Sequence, residues 1–183
     1  FKSFWAHSYE EEKSAFQKVV DFLIKRRERY PRSHIYHYNH YEVTVLKRLM
    51  CIYGSRENEV DHLLRTQAFI DLFKILRNSL IISEPRYTLK NVEVFFSEKK
   101  REGRVTSSGD SIVEYEKYLQ TDDKTILEEI EIYNKVDCIS TMKLRNWFIS
   151  IKEEHGIKTI ISPAEEEKKE EIPEDPLALV IRE

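Results

Sequence analysis

The sequence predicts an α/β fold that is rich in helix. The segment at residues 33–38 alternates and is rich in Ile, Tyr and His, and residues 68–72 form a second short strand-like run. Longer segments with apolar residues at helical spacing surround both, and only four of the 183 residues are Gly. Strands that are separated by helices are typical of α/β architectures.

The first predicted helix covers residues 8–29. Ser8 is a suitable N-cap, because its side chain can accept a hydrogen bond from the first turn. Acidic residues occupy the first turn and basic residues the last, as the helix dipole favours at each end. Pro31 then ends the helix, and the strand at 33–38 follows.

Further helical segments follow the first strand. A helix at 41–53 ends at Gly54, and a helix at 56–66 leads to the second strand. Because a two-stranded sheet is marginal on its own, we expect further strands both from residues 1–6 and from a segment upstream of residue 1. The later segments with helical spacing lie at 73–80, 88–96, 111–119 and 125–154.

The charge pattern divides the chain into a domain and a tail. Residues 1–160 carry the apolar periodicity of one domain, whereas residues 161–183 hold a Glu-dominated run with Pro, typical of a solvated linker or tail. The polar stretch at 98–110 is predicted to be an exposed loop. The net charge of −3 gives no overall attraction to nucleic acid, so phosphate contacts need local basic clusters or bound metal.

The cysteines and the hydropathy exclude several classes of protein. Cys51 and Cys138 form no CxxC pair, which argues against a disulfide framework or a zinc site. No apolar run is long enough to span a bilayer, and no signal peptide is recognisable. These features predict a cytoplasmic location and no membrane partner.

The first candidate site lies where the strand at 33–38 meets the next helix. Glu42 lies in the first turn of that helix, and α/β sheets gather functional groups at the carboxyl ends of their strands. The simpler interpretation is an acidic first-turn residue that interacts with the helix dipole. Glu42 alone does not decide between the two interpretations.

The second candidate site lies on the longest predicted helix. Tyr133 and Asp137 are four residues apart and therefore share one face. A carboxylate beside an apolar stripe is costly to bury unless a cation compensates it, and a metal ion would do so. The alternative is that Asp137 lies at the edge of the stripe and reaches Lys135 or water.

The two candidate sites together resemble a known pattern. The motif of Asn39, Tyr41 and Glu42 after a strand, followed by Tyr133 and Asp137 on a late helix, resembles the second and third motifs of the DEDD exonucleases, in their tyrosine subgroup. More closely, residues 1–150 resemble the ribonuclease H-like domain of predicted RecB-family nucleases, which often lies beside a superfamily 1 helicase. The blocks that carry this resemblance occur in order at 34–42, 71–72, 83–90, 111–116, 133–137, 140–141 and 144–147.

The resemblance implies a three-layer ribonuclease H-like fold and a metal-dependent 3′–5′ exonuclease. It implies carboxylates that hold a pair of Mg²⁺ or Mn²⁺ ions, and Glu42 and Asp137 match two of them. Glu42 stands where most members have Asp, and it still offers a hard oxygen ligand. The remaining carboxylates belong to an Asp-x-Glu on the first strand, which this sequence lacks, so we predict that the first strands lie upstream of residue 1.

The resemblance also implies roles for single residues. Glu42 and Asp137 would be metal ligands, and Tyr133 would orient the attacking water. Single-stranded DNA is favoured over RNA as substrate, with helicase or nuclease domains of the same parent protein as partners in DNA repair. The alternative is a catalytically inactive ribonuclease H-like domain that binds DNA or scaffolds a helicase–nuclease. The residues predicted to contact substrate are Asn39, Tyr41, Lys99, Lys100 and Arg101.

Two other groups near the strands have simpler predicted roles. Asp71 follows the second strand and is predicted to cap the next helix. His34 and His37 face opposite sides of the first strand, so packing or hydrogen bonding is favoured over zinc binding.

Overall fold

In a computed structural model, which describes residues 1–97 and 108–158, helices pack around a small parallel sheet. The α/β class and the helix-rich character are confirmed. A 3₁₀ turn at Glu93–Phe95 continues the fifth helix. The strands are β1 (Ile35–His37) and β2 (Phe69–Asp71), and the helices are α1 (Tyr9–Arg29), α2 (Tyr41–Tyr53), α3 (Glu57–Arg65), α4 (Leu72–Ser79), α5 (Leu89–Val92), α6 (Ser108–Thr121) and α7 (Lys124–Glu154).

The two strands pair in parallel, with Ile35 opposite Phe69 and His37 opposite Asp71. Within the described residues the sheet contains these two strands. A parallel pair brings the carboxyl ends of both strands to one edge of the sheet. Helix α2 begins at Tyr41, shortly after β1, and α4 begins at Leu72, directly after β2. The first turns of both helices therefore lie at that edge.

The prediction of a strand at residues 1–6 is wrong. These residues form no strand pairing. Phe4 instead packs against Phe22 of α1, with ring centroids 6.5 Å apart, and the Ser3 hydroxyl donates a hydrogen bond to Glu131 of α7. Aromatic residues favour a strand only where a neighbouring strand supplies cross-strand contacts, and here helices supply the contacts.

Buried residues form two clusters that fix the helices. The first cluster joins α1, α2 and α3, and the second joins α4, α5 and α7 beside the sheet. Tyr36 of β1 and Ile70 of β2 pack against the second cluster, so α7 is held next to both strands. The buried members are Phe16, Val20, Tyr53 and Val60 in the first cluster and Leu72, Leu76, Val92 and Leu144 in the second.

Local signals set most of the helix ends. The Ser8 side chain accepts a hydrogen bond from the Glu11 N–H at 3.2 Å, as predicted. Gly54 ends α2 with a φ of 50°, a left-handed conformation that favours Gly. The predicted loop at 98–110 is wrong in its last residues, because α6 already begins at Ser108. Residues 98–107 lie outside the described residues, as does the predicted domain boundary at 160–161.

The chain divides into two compact units, Phe1–Phe148 and a unit that begins at Ile149. In its described part, the second unit contains the last residues of α7 and the turn at Gly156, which has a φ of 59°. Cys51 and Cys138 are free thiols. No helix within residues 1–97 and 108–158 is long and apolar enough to cross a membrane.

The prediction that Asp71 caps a helix is confirmed, and it yields a testable stability effect. Asp71 Oδ1 accepts hydrogen bonds from the backbone N–H groups of Phe73 at 3.0 Å and Asn39 at 2.9 Å. Replacing Asp71 by Ala should lower the free energy of unfolding by about 1–2 kcal/mol, because both N–H groups lose their acceptor. Urea unfolding measures this loss. The Asp71→Asn variant keeps an acceptor oxygen and should recover most of it, whereas equal losses in both variants would contradict the capping role.

Candidate active site at the carboxyl end of the sheet

A tight turn at residues 38–40, here named the Asn39 turn, connects β1 to α2. Asn39 has a φ of 72°, a left-handed conformation that Asn tolerates better than most residues. Its backbone N–H donates to Asp71 Oδ1 at 2.9 Å, and its side-chain oxygen accepts from the His40 N–H at 2.9 Å. The turn therefore places Glu42 in the first turn of α2, at the edge where both strands end.

Glu42 lies beside a second acid and a histidine. Its side chain is 49% exposed, and its Oε2 lies 3.8 Å from Nδ1 of His37. Desolvation raises the pKa of Glu42, and the negative charge of Asp71 raises it further, while backbone hydrogen bonds and His37 partly offset the rise. The Glu42 carboxylate is thus half exposed beside the negative charge of Asp71, and a nearby cation would stabilise its charged form.

Asp137 and Tyr133 lie half-buried on α7, four residues apart as predicted. The backbone oxygen of Asp137 accepts a hydrogen bond from the Thr141 hydroxyl at 2.9 Å. The neighbouring Cys138 thiol has a raised pKa, caused first by burial and then by the charges of Asp137 and Glu42. Asp137 directly precedes Cys138 in sequence, whereas Glu42 is far from it in sequence, so the influence of Glu42 indicates that the first turn of α2 lies near Cys138 of α7.

The other predicted contact residues divide into two groups. Asn39 and Tyr41 lie in or directly after the Asn39 turn, and the Tyr41 side chain is 71% exposed. Lys99, Lys100 and Arg101 lie outside the described residues. Among the residues that the structure describes, no three His, Cys, Asp or Glu side chains lie close enough together to hold a metal ion. The described part thus contains both expected carboxylates, Glu42 and Asp137, but no complete metal site.

Two contacts at this edge were not predicted from the sequence. The Tyr38 hydroxyl donates to the backbone oxygen of Tyr87 at 2.5 Å, and burial, with the charge of Asp71, raises the pKa of Tyr38 strongly. The His37 ring contacts the backbone of Asn39, two residues further along the chain. The sequence favoured packing or hydrogen bonding for His37 but did not indicate its partner.

A basic cluster lies at the other end of β1, where α1 ends. The guanidinium groups of Arg26 and Arg29 lie 5.0 and 5.5 Å from the centre of the Tyr30 ring, and all three side chains are exposed. Arg27 donates a hydrogen bond to the backbone oxygen of Ser33 and so fixes the connection to β1. The guanidinium groups of Arg26 and Arg29 therefore lie close together on the Tyr30 ring, where they are exposed and can contact an anion.

The chain is thus an α/β domain in which Glu42 and Asp71 lie at the carboxyl ends of the two parallel strands. A family model described as RNase_H superfamily matches residues 1–149. The chain therefore belongs to the ribonuclease H superfamily, whose members are nucleases. No curated protein and no solved structure gives a significant match. The ribonuclease H-like assignment made from the sequence is confirmed at the level of the superfamily.

The raised pKa of Glu42 predicts a change of stability with pH. In the unfolded chain the carboxyl titrates at its ordinary value of 4.5, and in the folded chain it keeps its proton to a higher pH. Between the two pKa values the folded state binds more protons than the unfolded state. The contribution of Glu42 to the free energy of unfolding is therefore fully present below the unfolded pKa, and it is lost as the pH rises through the folded pKa. Glu42→Gln lacks this titration. The free energy of unfolding of the wild type minus that of Glu42→Gln should therefore fall as the pH rises from about 4 to 7.

Chemical denaturation of both proteins at several pH values measures this difference. Asp61→Asn, an exposed acid on α3 in an ion pair with Arg65, is a control that leaves the environment of Glu42 intact. A difference between wild type and Glu42→Gln that stays constant or rises with pH would contradict the desolvation of Glu42.

Proposed function

We propose that the chain is a metal-dependent 3′–5′ exonuclease domain of the DEDD type, in the tyrosine subgroup, and part of a RecB-family helicase–nuclease. The observation that carries the proposal is the position of Glu42 in the first turn of α2, where both parallel strands end, with its Oε2 3.8 Å from Nδ1 of His37. The charge of Glu42 also reaches the Cys138 thiol, which directly follows Asp137 on α7, and this supports Asp137 as the second carboxylate of the site. Membership of the ribonuclease H superfamily supports hydrolysis of nucleic acid as the activity.

The carboxylates fit a hard divalent cation such as Mg²⁺ or Mn²⁺. Both metals prefer oxygen ligands, and the negative charges of Glu42 and Asp71 lie near each other, an arrangement that a cation would stabilise. We propose Glu42 and Asp137 as ligands. When bound, the metal would stabilise the charge on the scissile phosphate and lower the pKa of water. The remaining ligands would come from an Asp-x-Glu on strands upstream of residue 1.

The chain's own residues would orient the reactants. Tyr133 lies one turn before Asp137 on the same face of α7, so its hydroxyl would orient the attacking water. The exposed ring of Tyr41 would stack on an unpaired base. The side-chain amide of Asn39 would donate to the substrate, because its oxygen already accepts from the His40 N–H.

Basic residues would bind the phosphates of the substrate. The net charge of −3 makes local cations necessary, and Arg26 and Arg29 on the Tyr30 ring provide one such group. We propose single-stranded DNA as the substrate, with further phosphate contacts from Lys99, Lys100 and Arg101. Residues 1–160 would form the nuclease domain of a cytoplasmic DNA-repair protein, and residues 161–183 would link it to helicase or nuclease partners.

A second candidate function is a catalytically inactive domain that binds DNA or scaffolds a helicase–nuclease. One observation favours it: within the described residues, no three potential metal ligands lie close together. A two-metal site needs more carboxylates than Glu42 and Asp137.

A nuclease assay distinguishes the two functions. Single-stranded DNA and RNA, each labelled at the 5′ end, are incubated with Mn²⁺ and this chain or with the longest natural form of the protein, and EDTA serves as the control. We expect progressive shortening from the 3′ end by the long form, and little or none by this chain. Binding of DNA by the long form without hydrolysis in Mn²⁺ would support the scaffold instead.

A further inference from the structure

The Asn39 turn is held by hydrogen bonds to both backbone groups of Asn39, its N–H and its carbonyl oxygen. The N–H of Asn39 donates to Asp71 Oδ1 at 2.9 Å, and its backbone oxygen lies 2.5 Å from Nδ1 of His37. Asn39 has a φ of 72°, a conformation that persists only when its surroundings favour it. The position of Glu42, three residues further along the chain, depends on this conformation.

The His37 ring is the buried partner in this arrangement. The residue is 7% exposed, and the edge of its ring meets Phe69 at 6.1 Å between centroids. A backbone oxygen can only accept a hydrogen bond, so Nδ1 of His37 must carry the proton. The same Nδ1 lies 3.8 Å from Glu42 Oε2. One N–H group therefore faces both the Asn39 turn and the carboxylate.

We infer that His37 is a positioning residue that fixes the Asn39 turn through its Nδ1–H and thereby places the Glu42 carboxylate for a metal ion. The inference deepens the proposed function and rests on it. In this role His37 does not itself bind the metal ion. It holds Glu42 in position before the metal ion binds, as residues that orient metal ligands do in other metal sites.

A pair of substitutions separates this role from packing. Leu fills a space similar to that of His and has no donor, whereas Asn is smaller and keeps an N–H group near the position of Nδ1. If His37 acts only by packing, His37→Leu should resemble the wild type more closely than His37→Asn does. If the donor matters, the order is reversed.

The first measurement is the affinity for Mn²⁺, obtained by calorimetry on the longest natural form of the protein and its variants. We expect His37→Leu to weaken Mn²⁺ binding by about 10-fold and His37→Asn by less than about 3-fold. His34→Leu, on an exposed residue directly before β1, is the matched control and should bind Mn²⁺ as the wild type does. Equal Mn²⁺ affinity in the wild type and His37→Leu, or weaker binding by His37→Asn than by His37→Leu, would overturn the inference.

The second measurement does not depend on metal. Amide hydrogen exchange reports how tightly the Asn39 N–H is held, because opening of the turn exposes it to water. We expect exchange about 10-fold faster in His37→Leu and close to the wild-type rate in His37→Asn. Wild-type exchange in His37→Leu would overturn the positioning role.

The two measurements also separate this inference from the proposed function. Failure of the wild type to bind Mn²⁺, or unchanged Mn²⁺ affinity in both Glu42→Gln and Asp137→Asn, removes the metal site and with it the inferred role toward metal. The exchange rates then still decide whether His37 fixes the turn.

Discussion

Replacing Asp137 by Asn is expected to reduce Mn²⁺-dependent hydrolysis of single-stranded DNA by at least about 100-fold, measured with the longest natural form of the protein. Asn keeps the shape of the side chain but removes the negative charge that a divalent cation requires. The substitution should also weaken Mn²⁺ binding by this chain. Circular dichroism should show an unchanged helix content, because the side chain is only half-buried.

Glu128 provides a matched control on the same helix. It precedes Asp137 by nine residues, which is roughly two and a half turns, so it lies on the opposite face of α7. It is exposed, and Glu128→Gln removes the same charge without approaching Glu42. We expect Glu128→Gln to keep full activity. Activity retained by Asp137→Asn would remove this residue from the metal site.

Replacing Leu144 by Ala is expected to lower the free energy of unfolding by about 2–5 kcal/mol. Leu144 is 0% exposed and packs in the second cluster with Leu72, Leu76 and Val92. The lost methyl groups and the cavity left behind both contribute to this cost. Leu144 follows Asp137 by seven residues, roughly two turns, and so lies on the same face of α7. Looser docking of α7 should therefore weaken Mn²⁺ binding as well.

Met142 gives the corresponding surface control. Its side chain is 55% exposed on the same helix, so Met142→Ala should change the free energy of unfolding by no more than about 0.5 kcal/mol. Urea unfolding curves of the two variants measure both effects. A loss below about 1 kcal/mol for Leu144→Ala would contradict the packing of α7 in the second cluster.

The helices could be predicted because their signals are local. Ser8 caps α1 through a hydrogen bond to Glu11, and Gly54 ends α2 in a left-handed conformation. Asp71 was correctly predicted to cap α4 for the same reason, since its partners follow directly in sequence. Strand assignment at residues 1–6 failed because it depends on a pairing partner, which the composition of a segment does not reveal.

The candidate site was only partly predictable. The spacing of Tyr133 and Asp137 follows from helix geometry alone. The contact of Asn39 with Asp71 depends on how β1 and β2 pair, and the contact of His37 with Asn39 depends on the conformation of the Asn39 turn. The sequence alone indicates neither the left-handed conformation of Asn39 nor the burial of His37.

The hydrogen bonds of Asp71 also bear on local opening of the protein. Asp71 Oδ1 accepts hydrogen bonds both from the first turn of α4 and from the N–H of Asn39. Movement of either segment therefore disturbs the acceptor of the other. Such segments tend to open as one cooperative unit. Opening of the first turn of α4 would therefore also release the Asn39 turn, which places Glu42. The site around Glu42 would then stay able to bind a ligand only as long as that helical turn stays closed.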